Sequence, residues 1–347
     1  MFESMVLTLK YILHYIYATK FKEVQVLTSK DVNGLMAILE TPAKPGADNW
    51  RNMDTVDTAE AARVTDQFIK DGAGAILALG TGGECATLLW EEKRALAGAI
   101  VEAAKKRLPV IIGTTTLSTR DTIRQLQAVM DIGANGTMLG IPMWQAPTFD
   151  EAVAHYKMVS EAVPTANIFV YANPQAFRFD FPPEFWGVMH KEVPAVIGAK
   201  YSDRENYAAA LQASQNSIRL CPVYVSFLPF AKVNAEQTTA CWAHSVHPAP
   251  TLAMIDAVKK RDWAKADEIQ KDFQWASHTQ DPPVSREEHG QLNVQLVKIR
   301  DDAAGYMKAG PMRPPYHLMS QSRTDGAREA GKRWKVLAEK YDKVIAK

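Results

Sequence analysis

From about Leu35 onward, short apolar runs alternate with longer stretches whose apolar residues recur every three or four positions. The runs are Leu35–Leu39, Ala75–Leu79, Val110–Gly113, Gly136–Leu139, Ile168–Tyr171, Val196–Lys200, Ile218–Pro222 and Thr239–Trp242. Each is apolar at successive positions rather than alternate ones, as parallel strands covered on both faces must be. Between them, Ala59–Lys70, Glu91–Lys106, Thr119–Ile132, Asp150–Ala162 and Pro183–Lys191 carry the amphipathic period of helices. Start signals stand at Asp57/Thr58, Ser118 and Thr148. Strands and helices in this alternation predict an α/β fold, a (β/α)8 TIM barrel. An open doubly wound sheet would carry a glycine fingerprint after its first strand. Here that strand runs into Glu40-Thr41-Pro42, which cradles no phosphate.

Further helical stretches follow at Pro250–Arg261, Trp263–Ala276, Leu292–Lys308 and Asp325–Ala346. The expected organisation is an N-terminal extension (1–26), a barrel (27–249) and a C-terminal helical region packed on it (250–347). The crossover Val223–Gln237 has the poorest helical pattern of the barrel. Met5–Tyr17 is apolar but interrupted by Lys10 and His14 and too short to span a bilayer. It reads as an amphipathic extension or an upstream start, not a membrane anchor.

Composition narrows the function. The 347 residues are 47% hydrophobic and 23% charged, with 40 basic against 39 acidic side chains. That balance argues against nucleic acid as a partner and leaves small anionic substrates open. Cys85, Cys221 and Cys241 form an odd, sparse set, which fits reduced thiols in a cytoplasm. No His/Cys/Asp/Glu spacing in the sequence matches a metal site, so chemistry without metal or organic cofactor is expected.

The active site of such a barrel lies at the C-terminal ends of its strands. The second strand ends in Leu79-Gly80-Thr81-Gly82-Gly83-Glu84, either a backbone anion cradle or a plain tight turn. The fifth ends in Tyr171-Ala172-Asn173-Pro174, whose phenol is either a proton shuttle or core packing. The sixth ends in Lys200, either a nucleophilic amine or a lysine snorkelling to solvent. Together at one barrel mouth, the three favour catalysis.

Gly80–Glu84, Tyr171–Pro174 and Gly198-Ala199-Lys200 resemble the landmarks of the dihydrodipicolinate synthase/N-acetylneuraminate lyase superfamily of pyruvate-dependent Schiff-base barrels. Gly83–Leu88, Gly133–Gly140, Tyr171–Phe181 and Ala303–Tyr316 are similar to its aryl-substituted branch. That branch comprises the hydratase-aldolases of 2'-hydroxy- and 2'-carboxybenzylidenepyruvates in polycyclic aromatic hydrocarbon degradation. The likeness runs from about Leu27 to the C-terminus. It implies that Lys200 forms the Schiff base, Tyr171 is the general acid/base, and Thr81 and Gly82 bind the substrate carboxylate. Thr81 would also relay protons. Trp242 and Asn293 would face the aryl end and the added water. The superfamily usually has a second hydroxyl residue where Gly82 stands, so here main chain alone would serve. A homo-oligomer, commonly a tetramer, is also implied.

Arg313, His244, His247 and His317 are candidate partners for a ring carboxylate, and His244 and His247 follow Trp242 so closely that they tilt the reading toward the carboxylated substrate. The rivals are a sugar-acid lyase or dihydrodipicolinate synthase-like aldolase, and a non-catalytic keto-acid-binding barrel. Aromatic residues Trp144, Trp242 and Phe177 at the distal end would speak against the sugar-acid enzyme.

Overall fold

In a computed structural model, eight parallel strands form one sheet in the order β7-β6-β5-β4-β3-β2-β1-β8. The structure describes residues 27–280 and 286–345, excepting the side chains of 286–291 and 343–345; the expected extension 1–26 lies outside the described residues. The strands are β1 (Gly34–Leu39), β2 (Ala75–Ala78), β3 (Val110–Ile112), β4 (Gly136–Leu139), β5 (Asn167–Tyr171), β6 (Val196–Lys200), β7 (Arg219–Cys221) and β8 (Ala240–Ala243). Their near-complete burial is why each read as an unbroken apolar run. β1 pairs with β8, and the ring closes between β7 and β8 through a Val223–Trp242 bridge. The (β/α)8 barrel is therefore observed.

Helices α1 (Thr58–Lys70), α2 (Trp90–Ala104), α3 (Thr119–Ile132) and α4 (Phe149–Ala162) follow β1 to β4. Asp57 caps α1 by accepting from the Glu60 N–H at 3.0 Å, and Thr148 and Glu151 form a capping box on α4. Ser118 stands at the N-cap of α3 without a side-chain cap bond. Then come α5 (Pro174–Phe177), α6 (Pro183–Glu192), α7 (Tyr207–Ala213) and α8 (Phe227–Val233). Of these, α5, α7 and α8 are too short for a helical period to register in the sequence. Helix α9 (Pro248–Lys259) packs on β1 and β8 and completes the outer ring. The barrel thus takes in the helix that the 249/250 boundary left to the C-terminal region. Helices α10 (Trp263–Ser277), α11 (Arg286–Ala304) and α12 (Gln321–Ile345) form that region, and α12 packs against the other two and α9.

Inside the barrel, side chains from alternate strand positions stack in layers. Phe169 of β5 and Trp242 of β8 meet across the interior, edge to face, with centroids 5.7 Å apart. Gly198 makes this layer possible, because a Cβ there would lie 2.7 Å from the Phe169 ring. Two positions further along the chain, Tyr171 and Lys200 at their strand ends and His244 just past β8 stand one layer nearer the mouth. Gly198→Ala should therefore overpack the floor beneath Lys200 and cost about 1–3 kcal/mol. Denaturant unfolding measures this, and wild-type stability in the variant would contradict the layering.

Candidate active site

Lys200 closes β6, half-buried, directly opposite Tyr171 in the β5–β6 register. Its Nζ stands 5.1 Å from the centroid of the Tyr171 ring. The Tyr171 hydroxyl shares a 2.9 Å hydrogen bond with Thr81 Oγ1, and Asn173 Nδ2 donates to it at 3.4 Å. Asn173 is itself fixed as the cap of α5, accepting from the Ala176 N–H at 3.2 Å. The Phe177 ring meets Tyr171 edge-on at 5.3 Å. Lysine, phenol and threonine hydroxyl therefore form one cluster at the barrel mouth.

The loop carrying Thr81 and Gly82 is held in an unusual backbone path. Leu79 and Glu84 have φ of 64° and 55°, and Gly83 packs so closely that a Cβ would lie 2.9 Å from the Leu79 nitrogen. Fully buried Glu84 anchors the loop. Its carboxylate accepts from Lys298 Nζ and Arg313 Nη1, each at 2.5 Å, and from the Arg313 N–H at 2.8 Å. Arg313 also donates to Thr55 Oγ1 at 2.6 Å and to the Thr55 carbonyl at 3.0 Å. Burial pulls the Lys298 ammonium down to about 8 despite its carboxylate partner. The C-terminal region thus positions the Thr81-Gly82 loop, a role sequence reasoning had not assigned to Glu84, Lys298 or Arg313.

These contacts correct several expectations. Arg313 is consumed by Glu84 and Thr55 and does not face a ring carboxylate. His247 caps α9, accepting from the Ala249 N–H at 3.1 Å, and packs on Tyr306. His317 is exposed, on a separate cleft lined by Met312 and Arg328. His244 Nδ1 is hydrogen-bonded to Glu40. The basis for the tilt toward the carboxylated ring is gone. Trp242 is not in the cavity wall either: it is fully buried, and its indole N–H donates to the Ala199 carbonyl at 3.2 Å, making it floor beneath Lys200. Asn293 is half-buried on α11, beside Val294, which does line the cavity. Trp144 is 81% exposed and lies outside the cavity, whereas Phe177 lines it.

The cavity at this mouth measures about 640 Å³. Thr81, Tyr171, Phe177, Met138, Met143 and Val294 contribute to its wall. Lys200 stands behind the Tyr171 ring rather than in the lining. The lining also includes Lys93, Asp121 and Gln125, and burial lowers the Lys93 pKa against the pull of Cys85 and Asp121. Gln125 Nε2 donates to Asp121 at 2.9 Å while its Oε1 has no partner among the described residues.

A second polar cluster lies next to the Thr81-Gly82 loop. Buried Glu40 bonds His244, and Ser245 N–H points at both Glu40 and Asp301, at 3.3 and 3.2 Å. Arg300 donates to Asp301 at 2.7 Å. The ligand atoms of Glu40, His244 and Asp301 lie within 4.8 Å of one another, but the Arg300 guanidinium already supplies a cation. Burial pushes the Asp301 carboxyl up to about 7 against the pull of Arg300, and holds His244 well below the ordinary imidazole range.

A sequence profile of the Dihydrodipicolinate synthetase family matches residues 33–330. The chain is 42% identical over 330 residues to a trans-O-hydroxybenzylidenepyruvate hydratase-aldolase of Pseudomonas aeruginosa, covering 93% of this chain and 98% of the relative. It is 32% identical over 326 residues to a trans-2'-carboxybenzalpyruvate hydratase-aldolase of Nocardioides sp. (strain KP7), covering 92% and 98%. A solved structure described as PhdJ bound to substrate intermediate superposes with a TM-score of 0.88 at 33% identity, covering 91% of this chain and 99% of the other. Fold, mouth geometry and these likenesses agree that the chain belongs to the Dihydrodipicolinate synthetase family.

Proposed function

We propose that the protein is a Schiff-base hydratase-aldolase that converts an ortho-substituted arylidene pyruvate and water to an aromatic aldehyde and pyruvate. The observation that carries this reading is the cluster of Lys200, Tyr171 and Thr81 on one barrel mouth. The Lys200 amine attacks the C2 ketone, water leaves, and a protonated imine forms. Conjugation makes C4 electrophilic, so water adds there and the electron pair moves through C3 to the imine nitrogen. Protonation at C3 restores the iminium. Tyr171, bonded to Thr81, then removes the C4 hydroxyl proton. The C3–C4 bond breaks toward the iminium, the aldehyde leaves, and the enamine is protonated and hydrolysed to pyruvate. Lys200 is the electron sink for both steps, so the reaction requires no metal or organic cofactor. Thr81 and the Gly82 main chain take the substrate carboxylate, and Asn293, which precedes the cavity-lining Val294 on α11, is assigned to the added water by the resemblance alone.

The hydroxylated ring is the better-supported substrate, since three of the four cations and histidines named for a ring carboxylate are engaged or elsewhere and His244 belongs to Glu40. Lys93 in the cavity lining favours the carboxylated ring as the second reading. Turnover of the two arylidene pyruvates decides: kcat/KM for the ortho-hydroxy compound should be at least about 10-fold higher, one to three kcal/mol of discrimination being what one pocket contact supplies. The reverse order would install the Lys93 reading. A sugar acid should not be cleaved, given the Met138, Met143 and Phe177 lining.

Tyr171→Phe removes the proton carrier while leaving the ring packed on Phe177. It should lower kcat by about 10²–10⁴-fold with KM nearly unchanged. Steady-state kinetics checks this, and a wild-type kcat would remove Tyr171 from the mechanism.

We further infer a homo-oligomer, a tetramer by likeness, and a cytoplasmic setting. Leu117, Trp144 and Met158 are exposed apolar residues around one cleft, which a neighbouring copy would cover. All three cysteines are unpaired, and no helix among the described residues is long and apolar enough to cross a membrane.

A further inference from the structure

We propose that His244, oriented by Glu40, is a second proton-handling group of the site, serving imine formation at Lys200 from the side opposite Tyr171. This rests on the lyase reading above. Its observations are separate from those that carried that reading.

His244 follows β8 directly and stands two positions beyond Trp242, whose indole reaches the Ala199 carbonyl beside Lys200. Strand alternation therefore turns His244 into the same interior, one layer nearer the mouth and level with Lys200. It also borders the substrate loop. A Cβ built on Gly82 would lie 3.7 Å from His244 Cε1 and 3.5 Å from Glu40 Oε1. Any longer side chain at position 82 would enter the space these two groups hold. Glycine there gives the imidazole access to the carboxylate loop.

The tautomer follows from the partner. Nδ1 faces the Glu40 carboxylate, so Nδ1 carries the proton and donates it. Glu40 is in turn held by the Ser245 N–H. Nε2 is left with its lone pair and with no partner among the described residues. The groups facing the imidazole are Glu40 just after β1, Asp301 and Arg300 from α11, Lys200 from β6 and the Tyr224 ring. Burial and the Arg300 charge keep His244 neutral, and the Lys200 charge acts in the same sense. Two neighbouring cations are disfavoured, so a proton reaches His244 as Lys200 gives one up.

The hydrogens then balance. The Lys200 ammonium carries three. His244 Nε2 accepts one, and the freed amine lone pair forms the bond to C2 while the carbonyl π pair moves to oxygen. A second passes from nitrogen to that oxygen through Tyr171 and Thr81, giving the neutral carbinolamine. The imidazolium returns the first to the hydroxyl, which leaves as water as the nitrogen lone pair forms C=N. The third stays on the iminium nitrogen. His244 and the Tyr171 pair end as they began.

The test is the rate of imine formation with pyruvate, read by borohydride quenching over time and mass spectrometry of the Lys200 peptide from acidic to neutral pH, since burial places the His244 limb on the acidic side. His244→Asn should slow labelling by about 100-fold and remove one limb of the rate–pH curve, leaving the final extent of labelling unchanged. Imidazole added to His244→Ala should restore part of the rate. Glu40→Gln, which keeps the shape, should slow labelling by about 10-fold and shift the same limb. Wild-type rates and pH profiles in the His244 variants would overturn the proposal; should those variants not fold, a wild-type profile in Glu40→Gln would do so alone. If the wild-type protein itself forms no adduct, the lyase reading falls and takes this proposal with it, an outcome distinct from a labelled wild type with an indifferent His244.

Discussion

Lys200→Ala is expected to lose turnover on the order of 10⁵-fold in kcat/KM, the scale of losing a covalent nucleophile. The loss should extend to both half-reactions. Hydration at C4 and cleavage of C3–C4 each need an electron sink, and in the proposed mechanism the iminium at Lys200 is the sink for both. No other lysine stands over the Tyr171 ring among the described residues. Lys200→Arg should fail equally, since guanidinium stays protonated and cannot condense with a ketone. The fold should survive either change, because Lys200 is half-buried at a strand end and forms no ion pair among the described residues. Separate assays of hydrate formation and aldehyde release measure the two losses. Hydration persisting in Lys200→Ala while cleavage vanished would split the mechanism and contradict a single sink.

Glu84→Gln has the largest expected effect on stability, for a reason that is structural first. One buried carboxylate is the shared partner of Lys298 and Arg313, whose side chains are 1% and 3% exposed. Removing its charge leaves two buried cations facing each other, and breaking such a network costs about 3–5 kcal/mol. The same residue sits at the end of the Thr81-Gly82 loop and ties it to the C-terminal region. A shift there displaces Thr81 from the Tyr171 hydroxyl, and misplacement by about 1 Å costs about 100-fold in rate. Denaturant unfolding and kinetics below the melting range read the two effects. Lys298→Met added to Glu84→Gln should regain part of the stability, since one uncompensated charge is removed. Unchanged stability in Glu84→Gln would show that the network does not hold the loop.

The barrel was legible because its strands are covered on both faces, so burial wrote unbroken apolar runs. Lys200, Tyr171 and Thr81 were legible because strand ends are where a barrel keeps its chemistry. Trp242 was not. Periodicity says that a strand residue faces inward, but its layer depends on Gly198 and Phe169, which lie on other strands. Arg313 was misread for a related reason: its partner Glu84 is 229 positions away, in a loop where the sequence singled out glycines. Glu40 served only as evidence against a phosphate cradle, since its partner His244 lies 204 positions on. Pairings between buried ionisable groups leave no periodic trace, so the fold had to be seen before they could be assigned.

The central claim is that Lys200 forms an imine with a pyruvate carbonyl, and trapping tests it most directly. The protein is incubated with pyruvate, reduced with borohydride, digested, and its peptides weighed. One covalent adduct, on Lys200 alone and absent from Lys200→Ala, is the predicted result. No adduct, or an adduct on a different lysine such as Lys93 or Lys298, would contradict the account.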